Sequence, residues 1–252
     1  MTRMDRSHPP RGMKIAVALA VVVAAMTAGQ PAAAADESGV DGGRDWSLAY
    51  GGRLYDSWYE ALGEEGPRAS HPAYPAAGPL SGPDTWRCVS CHGWDYGGSG
   101  DPAVAGKSLL GLAGTEPRAI AATIRGAPHG FTARQIPDDA LATLATFVSE
   151  GTHDQATFLD DRGMSTGDAE RGRAAYEGIC ASCHQIDGMA FISAEEGDRP
   201  SLGWVSRHKP DQALHKIRNG QPGADMVAIR FMDNRAIADL MAYIQTLDPG
   251  AD

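Results

Sequence analysis

Two short patterns of cysteine and histidine contain the residues whose types and spacing indicate chemistry. They are Cys88-Val89-Ser90-Cys91-His92 and Cys180-Ala181-Ser182-Cys183-His184. On a helical turn, side chains three and four residues apart lie on one face. Two thiols can then bond the vinyl groups of one haem while the imidazole takes the fifth position on its iron, and C-x-x-C-H is typical of such attachment. The sequence therefore predicts two covalently bound haem c groups, held by Cys88, Cys91, Cys180 and Cys183, with His92 and His184 on the irons.

Three other uses of paired cysteines compete with haem attachment. A zinc ribbon usually has its pairs about 15–20 residues apart, whereas these pairs lie about ninety apart, and each is followed at once by histidine. A redox dithiol requires a thioredoxin-like βαβ setting, and the surrounding sequence is helical in pattern. Structural disulfides remain open, since all four cysteines of the chain lie in the two motifs.

The first 35 residues have the pattern of an export signal. Arg3, Arg6, Arg11 and Lys14 precede an apolar run at residues 15–26, and Ala33-Ala34-Ala35 offers a cleavage site. The apolar run is shorter than the roughly 20 residues of a membrane-spanning helix. We therefore expect cleavage of residues 1–35, no stable membrane span in the mature chain and a periplasmic location, where covalent haem attachment also takes place.

The net charge of the mature chain indicates which classes of partner suit it. The full sequence has 22 basic and 32 acidic residues, of which four basic and one acidic lie in the leader, so 18 and 31 remain, a net charge of −13. Nucleic acid is an unsuitable partner for such a surface. A redox protein with a basic docking patch suits it, because complementary charge accelerates encounter. The sequence does not specify an oligomeric state.

An internal repeat divides the mature chain. Gly52-Arg53-Leu54-Tyr55 precedes the first motif as Gly172-Arg173-Ala174-Ala175-Tyr176 precedes the second, and proline-led segments at 117–125 and 210–218 follow. Apolar residues at i, i+3, i+6 and i+7 predict a closing amphipathic helix in each unit. These closing helices contain Leu141, Leu144, Phe147 and Val148 in one unit and Ile237, Leu240, Tyr243 and Ile244 in the other. Pro137-Asp138-Asp139 and Asp233 are their start signals.

With these motifs, the sequence resembles a tandem, diheme class I cytochrome c over nearly all of residues 45–248. The resemblance implies an all-α fold of two cytochrome c-like domains, each wrapped around one haem. We expect the signal peptide at 1–35, domain 1 at 40–155, a linker at 156–165 and domain 2 at 166–252. The first domain departs from the family by an insert of 29 residues between Tyr55 and Cys88. Its prolines at about 63–85 predict an irregular loop, which Trp58, Tyr59, Tyr74 and Trp86 would pack against the haem as a cover.

The family usually places a methionine sulfur opposite the histidine, and the second domain offers several. Met226 precedes the closing helix, where the family has its ligand, and Met232 is the next candidate. Met189 follows His184 too soon, and Met241 lies within the closing helix. Core filling is the alternative role of any methionine, and it suits Met232 and Met241. We expect Met226 to be the ligand.

The first domain has no methionine between the leader and Met164 in the linker. His129 precedes Phe147 by eighteen residues, as Met226 precedes Tyr243 by seventeen, so His129 is the expected sixth ligand. His71 in the insert, Lys107 and an open site remain alternatives. Methionine ligation raises the haem potential, so we expect haem 1 to accept electrons at lower potential and haem 2 to release them at higher potential.

The resemblance implies electron transfer in the periplasm, by a free carrier or by the cytochrome subunit of a dehydrogenase or oxidase. One alternative is a haem enzyme acting on a small substrate at haem 1, like thiosulfate dehydrogenases or peroxidases. The thiosulfate dehydrogenases are expected to use a cysteine ligand, and no cysteine remains outside the motifs. A redox or gas sensor is a third class, for which no output module is recognisable.

Overall fold

The computed structural model describes residues 42–104, 106–190 and 201–250, so the predicted signal peptide lies outside the described residues. These segments are helical, as predicted, and their only β-contact is an isolated bridge between Leu159 and Ser165. The helices are α1 (Gly42–Ala61), α2 (Val89–His92), α3 (Pro117–Arg125), α4 (Asp138–Thr146), α5 (Ala169–Ala175), α6 (Ala181–His184), α7 (Leu202–His208), α8 (Pro210–Asn219) and α9 (Asn234–Ile244).

Among the described residues, no helix combines the length and the apolar character that crossing a membrane requires.

Buried apolar side chains form two clusters that follow the chain. One draws on residues 54–148 and the other on residues 158–247. We call residues 42–157 the first half and residues 158–250 the second half. The predicted closing helices α4 and α9 contribute the expected apolar faces, and the carboxylate of Asp233 caps α9 by accepting a hydrogen bond from the Ala236 amide at 2.7 Å. The domain boundaries given above stay a prediction.

In each half the first helix crosses the closing helix at a glycine. A Cβ atom on Gly172 of α5 would lie 1.9 Å from the carbonyl oxygen of Asp239 in α9. A Cβ atom on Gly51 of α1 would lie 2.5 Å from the Cβ of Phe147, which directly follows α4. Because any larger residue would separate the helices, these glycines set the close approach. The repeat is therefore in register at Gly51, not at Gly52 as the sequence comparison suggested.

The two halves differ in how the first helix reaches the haem-attachment motif. In the second half, α5 continues through a wider helical turn (Tyr176–Cys180) directly into α6. In the first half, the predicted insert separates α1 from α2, and it contains one 3₁₀ turn, Gly82–Trp86, among irregular backbone. The second half has an additional helix, α7, which the repeat did not predict.

A buried carboxylate links the halves. Asp56 in α1 is 1% exposed and accepts a hydrogen bond from the Arg87 guanidinium at 2.5 Å and one from the Lys216 ammonium of α8. Both cations also face the ring of Trp94, at 5.7 and 5.1 Å from its centre. The charge of Asp56 is thus compensated from both halves, as a buried charge requires.

A fully buried histidine makes a second link. His215 of α8 accepts the hydroxyl hydrogen of Tyr96 at Nδ1, 2.8 Å away, and donates from Nε2 to the carbonyl of Gly52 in α1, 3.1 Å away. Burial lowers the pKa of His215 to about 3. The neutral ring therefore satisfies one donor and one acceptor of the first half.

Candidate haem-binding sites

Both C-x-x-C-H motifs lie on single helical turns, α2 and α6, so that each brings two thiols and an imidazole to one side. The same hydrogen bond supports each turn. The hydroxyl of Tyr55, fully buried, donates to the carbonyl of Gly93 at 2.5 Å, and the hydroxyl of Tyr176, also fully buried, donates to the carbonyl of Gln185 at 2.7 Å. Each acceptor directly follows the motif histidine. The repeat that the sequence shows around these tyrosines thus has a structural role.

The four cysteines of the chain all lie in the described segments, and none is bonded to another. Burial raises the pKa of the Cys88 thiol to about 12 and that of Cys180 to about 11. Redox-active thiols instead have a lowered pKa, which favours the thiolate. Within the described segments no three His, Cys, Asp or Glu side chains converge as metal ligands.

The first motif histidine is oriented for metal binding. His92 donates from Nδ1 to the carbonyl of Lys107, 2.7 Å away, which leaves the lone pair of Nε2 for a metal ion. Burial lowers the pKa of His92, and the neutral ring is the form that binds metal. A Cβ atom on Gly106 would lie 1.4 Å from the Cys91 carbonyl, so the 106–107 loop lies directly on the motif. The main chain of Lys107 therefore orients the motif histidine.

The ring centres of His92 and His129 lie 6.0 Å apart, and the two ring planes are inclined by 25°. Metal–imidazole bonds are about 2 Å long and a ring centre lies about 1 Å behind its bonding nitrogen, so two imidazoles on opposite sides of one metal ion have centres about 6 Å apart. The Nδ1 of His129 donates to the carbonyl of Thr123 at 3.2 Å, which again leaves Nε2 for a metal. The arrangement fits one iron between the two rings.

His71, the alternative ligand from the insert, has both ring nitrogens engaged elsewhere. Its Nδ1 accepts from the Ala73 amide at 3.0 Å, and its Nε2 donates to the carbonyl of His129 at 2.8 Å. The ring lies edge-on to Trp86, at 4.4 Å between centres, and near Phe131. His71 therefore contacts the loop that carries His129 and has no nitrogen left for iron.

In the second half, His184 ends α6, and burial lowers its pKa. Met226 is half-buried in the loop between α8 and α9, ahead of the closing helix as the sequence predicts. Met241 is fully buried in the second cluster and Met232 packs against that cluster, so both fill the core as predicted. Met189 reaches Gly250, with its methyl carbon 3.8 Å from the position of a Cβ there.

The loop of Met226 is tied to the first half. The guanidinium of Arg53 in α1 donates to the carbonyl of Met226 at 2.7 Å and to that of Asn219 at 2.9 Å. Sequence reasoning used Arg53 only as a marker of the repeat. It assigned no role to Asp56 or His215 and considered His71 only as an alternative ligand, because each of these side chains contacts a residue at least 30 positions away.

Residues 167–244 match the family model described as cytochrome C oxidase, cbb3-type, subunit III. The chain is also 36% identical over 83 residues to the cytochrome c-553-like protein of Synechocystis sp., a stretch that covers 32% of this chain and 70% of that protein. Among solved structures, the crystal structure of reduced recombinant cytochrome c4 from Pseudomonas stutzeri matches at 22% identity, covering 64% of this chain and 93% of that chain, with a TM-score of 0.23.

Proposed function

The chain belongs to the cytochrome c family, which binds haem c covalently, and from this premise we propose that it is a periplasmic electron carrier with two haems. The observation that carries the proposal is the duplicated support of the motifs. In both halves a buried tyrosine, Tyr55 or Tyr176, donates to the carbonyl that follows the motif histidine. When bound, haem c supplies reversible Fe(III)/Fe(II) cycling.

His92 and His129 are the proposed axial ligands of haem 1, supported by the 6.0 Å separation of their ring centres. His184 and Met226 are those of haem 2, where the support is the family position of Met226 and its half-buried loop. Four ligands of these types leave no coordination position for a substrate. They favour electron transfer over an enzyme that acts at haem 1.

The ligand difference gives the carrier a direction. A methionine ligand raises the haem potential relative to a second histidine, so haem 1 accepts electrons and haem 2 passes them on. The contacts of Asp56 and His215 across the halves hold the two sites at a fixed separation. Candidate partners are redox proteins with a basic docking patch, in keeping with the net charge of −13 after removal of residues 1–35.

Carbon monoxide addition to the reduced, purified protein tests the proposal. We expect little binding in the unaltered chain, because His129 and Met226 occupy the sixth positions, and rapid binding at one haem in His129→Ala and at the other in Met226→Ala. Electron paramagnetic resonance of the oxidised protein separates bis-histidine, histidine–methionine and high-spin haems and so identifies which site has changed.

Rapid binding of carbon monoxide at haem 1 of the unaltered protein would contradict the carrier proposal and favour the enzyme or sensor classes. Recovery of one haem per chain would contradict the diheme proposal. A potentiometric titration in which haem 1 proves to have the higher potential would remove the direction of transfer and leave the ligand assignments intact.

A further inference from the structure

The two candidate sixth-ligand residues share a contact that neither motif predicts. The main-chain carbonyl of each accepts a hydrogen bond from a distant side chain. His71 donates to His129 at 2.8 Å across 58 positions, and Arg53 donates to Met226 at 2.7 Å across 173 positions. Both donors come from the first half, although Met226 belongs to the second.

We propose that His71 and Arg53 are positioning residues, each of which holds one sixth ligand on its iron through the carbonyl of that ligand residue. The inference rests on the proposed ligands His129 and Met226. Neither donor touches the iron in this arrangement. Each restrains the loop from which the ligand would otherwise swing away.

His71 is itself well fixed. It is 9% exposed, its amide donates to the hydroxyl of Thr85 at 2.8 Å, and its Nδ1 accepts from Ala73, so that the proton resides on Nε2 and points at His129. Trp86 packs on one side of it, and the Trp86 indole donates to the carbonyl of Ala69 at 2.7 Å. The irregular insert thus has a defined function, which is to supply a rigid donor to the His129 loop.

Arg53 fixes its loop at two points. Its Nε bonds to Asn219, where α8 ends, and its Nη2 bonds to Met226, so one planar guanidinium spans the start of the loop and the ligand residue. Because α1 carries Arg53, the ligand loop of the second half is complete only when the first half is packed against it. Arg53 also lies beside the links made by Asp56 and His215.

The test compares variants by the rate at which carbon monoxide binds each reduced haem in the full-length holoprotein. His71→Leu removes the donor and His71→Gln keeps an amide donor at the position of Nε2. Arg53→Met removes both donors and Arg53→Lys keeps one charged donor. Ser70→Ala is the matched control, because the hydroxyl of Ser70 accepts from the Gly82 amide within the insert and does not contact the His129 loop.

We expect His71→Leu to raise the rate at haem 1 about fivefold to tenfold, the factor produced by losing one hydrogen bond, and to leave haem 2 unchanged. Arg53→Met should raise the rate at haem 2 by a similar factor and leave haem 1 unchanged. His71→Gln and Arg53→Lys should bind carbon monoxide at rates between those of the variants without a donor and that of the unaltered protein. Ser70→Ala should bind it at the rate of the unaltered protein. Electron paramagnetic resonance should show a matching increase of high-spin signal at the affected haem alone.

Three outcomes would overturn the inference. In the first, His71→Leu binds carbon monoxide at the same rate as Ser70→Ala. In the second, each variant raises the binding rate equally at both haems, which indicates general loosening of the protein. In the third, His71→Leu and His71→Gln bind carbon monoxide at equal rates. Failure of the ligand assignment is recognised separately: His129→Ala or Met226→Ala would then leave the spectrum of its haem unchanged. If carbon monoxide binds haem 1 rapidly in His129→Ala but not in His71→Leu, only the positioning role of His71 is wrong.

Discussion

The two loops that carry the candidate sixth ligands occupy equivalent places between their helices, yet different elements contact them. In the first half, His129 follows the end of α3 by four residues, and the insert covers the short loop through His71. In the second half, Met226 follows the end of α8 by seven residues, and the longer loop rests on α1 of the other half through Arg53. The second site therefore depends on the first half for its support, and the first site depends on its own insert.

The helices that precede these loops show the same contrast. His215 of α8 is equivalent, counted from the leading prolines, to Ala122 of α3. Ala122 is exposed, whereas His215 is fully buried between the halves. At this position α3 faces solvent and α8 forms an interface between the halves, which explains why a polar side chain there makes two hydrogen bonds.

The largest expected effect on stability concerns a feature that both halves share, the glycine at which the first helix crosses the closing helix. Gly172→Ala places a Cβ against the backbone of α9, which cannot yield without separating the helices, and we expect a loss of about 3 kcal/mol in the free energy of unfolding. Gly51→Ala meets the Phe147 Cβ at 2.5 Å and the Thr143 carbonyl oxygen at 2.8 Å. These contacts are less close than the 1.9 Å contact at Gly172, so the expected loss is smaller, about 2 kcal/mol. Urea unfolding of the holoprotein measures both.

Gly178→Ala is the control for this pair, because no atom lies within 4 Å of its Cβ position. An equal effect of all three substitutions would mean that helix propensity, not the close crossing, determines the loss. A larger effect of Gly51→Ala than of Gly172→Ala would reverse the comparison.

The next effect is the pH dependence of stability, which tests the burial of His215 in α8 against the exposure of Ala122 in α3. With its folded pKa lowered to about 3, His215 binds a proton in the unfolded chain before it does in the folded one. Stability therefore falls as the pH decreases from about 6.5 toward 3, by about 1.4 kcal/mol per pH unit from this residue. Asp56, Lys216 and Arg230 are the charged groups that act on it.

Unfolding measured between pH 7 and pH 5 in His215→Gln should have a shallower pH dependence than in the unaltered protein by that amount. Ala122→His adds an exposed imidazole at the equivalent position of α3 and should leave the slope unchanged. If His215→Gln retains the full slope, protonation of His215 is not what weakens the folded state in acid.

The smallest effect concerns the tyrosines that support the motifs. Tyr55→Phe and Tyr176→Phe each remove one donor to the carbonyl after the motif histidine, and each should cost about 1 kcal/mol of unfolding free energy. Tyr50→Phe, which removes a partly exposed hydroxyl, serves as the control. A cost at Tyr55 and none at Tyr176 would show that the duplicated hydrogen bond supports only the first motif.

Much of the local structure could be predicted from the sequence. The C-x-x-C-H turns, the closing helices and their starts at Pro137 and Asp233 are set by residues within one or two helical turns of each other. Met241 lies within α9, so its core role follows from the same short-range pattern. The register of Gly51 was missed, because the glycine that allows a close crossing is identified only by the helix that approaches it.

The sequence by itself determined the residue types and spacing that suit haem attachment, the helical class and the candidate ligands His129 and Met226, because these are encoded by neighbours along the chain. Only the tertiary structure decided that His71 and Arg53 donate to the carbonyls of those candidate ligands, that the carbonyl of Lys107 accepts from His92, and that α8 but not α3 is buried between the halves. The physical reason is that these contacts join residues 15 to 173 positions apart. Their geometry depends on how the helices pack, which no local pattern specifies.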